Sequence, residues 1–87
     1  MQITIKTFRN GGTRELESTK LAVARGHTIR KVKCMVEERQ RIPASEQMLM
    51  FAGKELEDCY KLGYYNIPDA AILNMDYNDR VTGEEEA

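Results

Sequence analysis

The start of the chain alternates polar and apolar residues in a way that predicts a β-hairpin. Gln2–Lys6 carries its isoleucines at every second position, which is the pattern of a half-buried strand. Asn10-Gly11-Gly12 then supplies residues that tolerate positive φ, as a hairpin turn requires. A second strand is predicted over Thr19–Val23, and Leu16 is out of step with its alternation. A bulge or a longer irregular loop before this strand would absorb the mismatch.

The spacing of apolar residues then changes to that of a helix. Between Ile29 and Val36 they recur every three or four positions, and Thr28 is placed to cap the first turn. Pro43 disfavours helical backbone in the residue before it, so the helix is predicted to end near Gln40. One helix therefore connects the hairpin to the second half of the chain.

The second half of the chain predicts short strands. Gln47–Phe51 is a strand candidate, Gly53-Lys54 forms a turn, and Leu56 anchors the next short element. A final strand is predicted over Ala71–Tyr77. The order ββαββ predicts an α+β domain over residues 1–77, in which one helix crosses one face of a mixed sheet.

Three motifs follow one another in this order: Ile42-Pro43 after the helix, Phe51-Ala52-Gly53-Lys54 at the turn, and Tyr65-Asn66-Ile67 further on. Their order and spacing resemble ubiquitin closely. The likeness covers residues 1–77 and implies the β-grasp (ubiquitin-like) fold. It also implies an enlarged first hairpin loop at about residues 9–18, which is a departure from ubiquitin.

The resemblance implies which residues stabilise this fold. Lys33 and Asp58 match a largely shielded ion pair between the helix and a later loop. Tyr65 matches a tyrosine whose hydroxyl holds the same loop in place. Arg41 and Cys59 stand where the family usually has glycines, so the backbone at each position is expected to be either strained or differently built.

Ubiquitin-like domains dock partner helices on an apolar patch of the sheet, and the resemblance locates that patch here. The matching residues are Phe8, Met50, Asn74 and Asp76, with Met48, Gly53 and Lys54 on the rim. The alternation of the strand supports this independently, because a core Leu49 directs Met48 and Met50 to the opposite face. Methionine side chains are flexible and recur at adaptable binding surfaces.

Asp76 changes the chemistry of this patch, because the family usually has an aliphatic residue there. A carboxylate beside Met50 would have to be desolvated on docking, which is costly for an unpaired charge. A partner must then offer a Lys or Arg opposite Asp76, or dock elsewhere. The second candidate surface is the basic start of the helix, at Arg30 and Lys31, whose charges oppose the helix dipole.

Composition restricts what else the chain can be. It has 87 residues, 41% of them hydrophobic, which makes one small domain, and no apolar run approaches the roughly 18 residues of a membrane span. Cys34, Cys59 and the single His27 cannot complete a four-ligand zinc site, so we expect reduced thiols, no metal and no cofactor. Residues 1–41 carry ten Lys/Arg and four Asp/Glu, whereas residues 42–87 carry three and ten.

Three other functions compete with protein binding. A catalytic site needs a nucleophile, a base and a stabiliser in convergent geometry, and the sequence has no such signature. A conjugated modifier needs a C-terminal Gly-Gly, which residues 77–87 lack. Nucleic-acid binding by the basic half is disfavoured by a pI near 5.8 and by the lack of interleaved aromatic residues.

We therefore expect a non-conjugated ubiquitin-like module that binds proteins and is not an enzyme. A chain starting directly at its first strand suggests a natural N-terminus, and the Asp-, Gly- and Glu-rich residues 78–87 suggest a flexible acidic tail or linker to a larger protein. The resemblance implies proteasomal receptors, ubiquitin-binding helices or chaperone machinery as partners. A monomer in the cytoplasm or nucleus is expected, with no small-molecule substrate and no membrane contact.

Overall fold

The computed structural model describes residues 1–78, which form a mixed sheet with an α-helix across one face. The elements are β1 (Gln2–Arg9), β2 (Glu17–Ala22), α1 (Ile29–Gln40), β3 (Gln47–Phe51), β4 (Lys54–Glu55) and β5 (Ile72–Tyr77), with short 3-10 turns at Ala44–Glu46 and Leu62–Tyr65. The strands lie in the order β2-β1-β5-β3-β4, and β1 is parallel to β5 while the other neighbours are antiparallel. This arrangement confirms the predicted β-grasp fold. The predicted tail lies outside the described residues except for Asn78.

The hydrophobic core lies between α1 and the inner face of the sheet. The helix contributes Ile29, Val32 and Val36, all fully buried. The three central strands contribute Ile3, Ile5, Leu49, Leu73 and Met75, which are also fully buried. Successive residues of a strand point to opposite faces, so the residues between these positions form an outer face that the helix does not cover.

The first hairpin is more regular than the sequence predicted. β2 begins at Glu17, earlier than expected, and pairs with β1 in one continuous antiparallel register. Leu16 donates its backbone N–H to the Thr7 carbonyl at 2.7 Å, while its side chain is exposed. Its break in the alternation therefore marks the end of strand pairing, and the irregular loop covers residues 10–16 instead of 9–18.

Both ends of the helix are set by local chemistry. The Thr28 hydroxyl accepts a hydrogen bond from the Lys31 N–H at 3.1 Å, as predicted. At the other end Arg41 adopts a left-handed conformation with φ of 64°, and its N–H donates to the Glu37 carbonyl. At Cys59 the loop is differently built, because its φ is not positive. Within residues 1–78 the non-glycine residues with positive φ are Asn10, Arg41, Ala52, Asn66 and Ala70.

Arg41→Gly is expected to stabilise the fold by up to about 1 kcal/mol. Left-handed backbone costs a non-glycine residue roughly 1–2 kcal/mol, and the greater freedom of glycine in the unfolded chain offsets about half of this. Urea unfolding followed by circular dichroism measures the change. The control is Glu38→Gly in the exposed helix interior, which should lose about 1 kcal/mol. A loss of stability in Arg41→Gly would contradict the left-handed cap.

The loop between β4 and β5 is held against the helix by two polar contacts. The Lys33 ammonium lies 2.6 Å from an Asp58 carboxylate oxygen, and the two side chains are 9% and 48% exposed. The Tyr65 hydroxyl accepts a hydrogen bond from the Glu57 N–H at 2.9 Å. These are the contacts that the resemblance implies, and they attach a long connection to the helix side of the molecule.

Candidate protein-docking face

The outer face of the sheet brings together residues from three adjacent strands. In one row Phe8 of β1 lies opposite Asp76 of β5, which in turn lies opposite Met48 of β3. In the next row Asn74 of β5 lies opposite Met50 of β3. All five point away from the helix, because the residues between them in each strand are buried.

Four of these residues line one cleft of about 350 Å³. Phe8 and Met50 are half-buried and supply its apolar surface, while Asn74 and Asp76 supply polar groups. Gly11, Gly12 and Thr13 of the hairpin loop complete the lining. The structure thus places all four predicted patch residues around a single concave site.

The three predicted rim residues lie outside the lining of this cleft. Met48 is 41% exposed and belongs to a separate depression near the other end of β3. Gly53 lies in the turn after β3 with φ of 78°, and Lys54 lines a different cleft together with Tyr64 and Tyr65. Of the predicted rim, only Met48 shares a row with the residues of the cleft.

The hairpin loop is attached to the cleft through Asp76. The Gly11 N–H donates to both carboxylate oxygens of Asp76, at 3.0 and 3.1 Å. Beside it, the Asn10 N–H donates to the Tyr77 carbonyl at 2.8 Å. From the sequence, Asp76 was expected either to require a Lys or Arg of the partner or to move docking elsewhere, and the structure adds that its half-buried carboxylate accepts hydrogen bonds from the loop.

Sequence reasoning missed two further features of this face. Ile72 is 51% exposed and shares the outer side of β5 with Asn74, two residues further along the strand. Lys6, on the outer side of β1, forms an ion pair of 3.8 Å with Glu15 of the loop. The alternation of β5 could have identified Ile72, but no local signal indicates that Glu15 folds back toward Lys6.

The basic start of the helix is a separate surface. Arg30 and Lys31 are exposed on the first turn of α1. The backbone N–H of Arg30 donates to the Asp58 carbonyl at 3.1 Å, so this turn faces the loop between β4 and β5. Because the helix covers the inner side of the sheet, these two cations lie on the opposite side of the molecule from the cleft.

Three tyrosines form an aromatic cluster that the sequence did not predict. The Tyr60 and Tyr64 rings stack with centroids 4.3 Å apart, and Tyr65 contacts both edge-on. Tyr64 is 63% exposed. Repulsion from the Tyr64 phenolate, and then from Glu57, raises the pKa of Tyr60 above its ordinary value of 10.0.

Tyr64→Phe is expected to lower the pKa of Tyr60 toward 10.0. The substitution keeps the stacked ring and removes the neighbouring phenolate, which is the largest cause of the raised pKa. NMR of ¹³Cζ-labelled tyrosine across alkaline pH resolves the titration of each ring. Tyr77→Phe, a tyrosine outside the cluster, is the control and should leave the pKa of Tyr60 unchanged. An unchanged value in Tyr64→Phe would mean that the two hydroxyls do not interact in solution.

Metal-ligating side chains and thiols do not converge in the part of the chain that the structure describes. Residues 1–78 contain no group of three or more His, Cys, Asp or Glu side chains positioned to hold a metal ion. His27 Nδ1 accepts a hydrogen bond from the Ala24 N–H within its own turn, and both cysteines are exposed free thiols. None of the helices in this part of the chain has the length and apolar character that crossing a membrane requires.

Comparison with known proteins identifies relatives that share most of this chain. A model of the ubiquitin family matches residues 3–77. Ubiquitin-like protein 4A of Xenopus laevis is 34% identical over 84 residues, which cover 97% of this chain and 53% of that protein. Its Xenopus tropicalis counterpart is 33% identical over the same shares of both chains. Ubiquitin-like protein 4A of Danio rerio is 42% identical over 53 residues, which cover 61% of this chain and 34% of that protein. The chain spans about half the length of the Xenopus relatives.

Proposed function

The chain belongs to the ubiquitin family, and on that premise we propose that it is a non-catalytic module that docks partner proteins on the outer face of its sheet. The observation that carries this proposal is the cleft in which Phe8 and Met50 lie beside Asn74 and Asp76. Protein interfaces combine buried apolar anchors with polar groups around them, and this cleft offers both kinds of group to a partner. A site of this size fits an interface of modest area and affinity.

The partners we propose are those that dock on ubiquitin-like domains through a short helix. They are proteasomal receptors, other ubiquitin-binding helices and components of chaperone machinery. An amphipathic helix presents apolar anchors along one side, which suits a narrow cleft between a strand and a loop. The greater length of the Xenopus relatives supports a role as one domain of a larger protein, and we propose that it is the N-terminal one.

The proposed compartment is the cytoplasm or the nucleus. Cys34 and Cys59 are exposed and unpaired, and exposed free thiols persist in reducing compartments. The module is proposed to work as a monomer, without a cofactor or a small-molecule substrate.

An NMR titration tests the docking face. The ¹⁵N-labelled chain is titrated with a single ubiquitin-binding helix and, separately, with proteasomal receptor fragments. Docking on the proposed face shifts the amides of Phe8, Met50 and Asn74, which line the cleft. Shifts confined to residues 30–33 would move the site to the basic start of the helix. An unchanged spectrum with every probe would contradict the proposed function.

A further inference from the structure

We infer that the hairpin loop of residues 10–16 is a wall of the docking cleft, and that the cleft selects a helix carrying a bulky aliphatic residue beside a Lys or Arg. This inference rests on the proposed function and adds the chemistry of the partner. It depends on the attachment of the loop, on the charge of Asp76 and on the apolar residues at the centre of the cleft.

The loop is attached to the sheet at both of its ends. At its start the Asn10 N–H donates to the Tyr77 carbonyl, and the Gly11 N–H donates to the Asp76 carboxylate. At its end Glu15 pairs with Lys6 on the outer face of β1. These contacts hold both ends of the loop against the outer face of the sheet, next to the cleft.

Glycine is needed where the loop turns beside the cleft. Gly11 has φ of 72°, which strains any residue with a side chain. A Cβ at Gly12 would lie 3.1 Å from the Arg9 carbonyl oxygen, which is tighter than an ordinary contact. Gly11 is therefore required by the backbone conformation of the turn and Gly12 by the space inside it, and Gly11, Gly12 and Thr13 form one side of the cleft.

The charge of Asp76 determines which partner fits. Its carboxylate accepts hydrogen bonds from the neutral Gly11 N–H, and within residues 1–78 it forms no ion pair. The negative charge therefore remains at the edge of the cleft, next to the apolar surface of Phe8 and Met50. A Lys or Arg of the partner would complete the hydrogen bonding of this carboxylate, whereas a Glu would be repelled.

A helix can supply both required groups from one face. Residues three or four positions apart on a helix lie side by side, about 5–6 Å between their Cβ atoms. In this chain Phe8 lies directly opposite Asp76 across the β1–β5 pair. An aliphatic anchor against Phe8 and Met50 thus leaves a cation one turn away within reach of Asp76.

Peptide variants of one ubiquitin-binding helix test this selection. The peptides are made in pairs that differ at a single position, three or four residues from the central aliphatic anchor. One peptide of each pair has Lys at that position and the other has Glu. Affinities are measured by NMR titration of the ¹⁵N-labelled chain, which also reports the amides of Gly11, Gly12 and Thr13. At one position we expect the Lys peptide to bind up to about fivefold more tightly, which is the upper end of the range for one exposed ion pair. We also expect the three loop amides to shift.

Asp76→Asn and Asp69→Asn form a matched pair of variants. Asp76→Asn removes the charge but keeps an oxygen that can accept from Gly11, so the loop stays in place and the preference for Lys should disappear. Asp69 also accepts a backbone N–H, from Gln2 at 2.8 Å, but lies outside the lining of the cleft. Asp69→Asn should therefore keep the preference.

The possible results separate this inference from the proposed function. Equal affinity of the Lys and Glu peptides at every position, with shifts on the sheet face, would overturn the inference and leave the proposed function standing. A preference for Lys that survives in Asp76→Asn would also overturn it, as would binding that leaves residues 11–13 unshifted. Absence of any shift with every peptide would overturn the inference and the proposed function together.

Discussion

Asp58→Ala is expected to lower the free energy of unfolding by about 2 kcal/mol. Breaking a buried pair by removing one partner typically costs about 3–5 kcal/mol, because the other charge is left buried without compensation. The Asp58 side chain is 48% exposed, so water reaches this pair from one side and reduces the cost. The Lys33 side chain is only 9% exposed and has no other side-chain partner among the described residues. In Asp58→Ala its ammonium would therefore be buried without a compensating charge.

Lys33→Met should cost less than Asp58→Ala, about 1 kcal/mol or less. Methionine keeps an unbranched apolar stem in the same space and removes the buried charge. The Asp58 carboxylate that remains is half exposed and can be hydrated. The two halves of one ion pair are therefore expected to differ in their effect, because they differ in burial.

Urea unfolding followed by far-ultraviolet circular dichroism measures both variants, since the chain contains no tryptophan. Glu57→Ala is the control, because it removes an exposed carboxylate from the same loop and should change stability by less than about 0.5 kcal/mol. If Lys33→Met proves as costly as Asp58→Ala, the attraction between the two charges stabilises the fold. The loss of stability in Asp58→Ala would then not come from leaving the Lys33 ammonium buried without a partner.

The helix and the strands could be predicted because their limits depend on nearby residues. Thr28 caps the helix through its own hydroxyl, and Pro43 acts on the residue before it. The buried Leu49 between Met48 and Met50 likewise follows from the alternation of a strand. The family resemblance then fixed the order of the strands in the sheet, which local pattern alone does not determine.

The form of the candidate site could not be predicted, because it depends on contacts between distant residues. The alternation of side chains along β3 places Met48 and Met50 on the same face. It does not reveal that, of these two, Met50 alone lines the cleft. That difference arises because the loop folds toward Phe8, where Asp76 accepts from Gly11 across 65 positions of sequence. The resemblance located the patch residues but not the contact between the loop and Asp76. The enlarged loop and the aspartate are both departures from the family pattern.

Met50→Ala is expected to weaken partner binding by about tenfold or more while the fold stays intact. Binding energy is concentrated in a few residues of an interface, each of which costs more than about 1 kcal/mol when it is truncated, and tenfold corresponds to about 1.4 kcal/mol. Met50 lies between Asn74 and Glu55 in the sheet and lines the cleft. Its side chain is half-buried on the outer face of the sheet, whereas the core lies on the inner face with Leu49. Truncation of Met50 should therefore leave the core unchanged.

Phe8→Ala should have a similar effect, and Met48→Ala provides the matched control. Met48 is the same residue type on the same strand and face, but it lies outside the lining of the cleft, so its removal should weaken binding less than about threefold. Affinity is measured by NMR titration with a ubiquitin-binding helix, and circular dichroism checks that each variant is folded. If Met48→Ala weakens binding as much as Met50→Ala, the partner lies along the whole row of β3, β5 and β1, and the cleft is not its centre. A large loss confined to Met50 and Phe8 would instead locate the anchor between the sheet and the loop, where the two side chains converge from different strands.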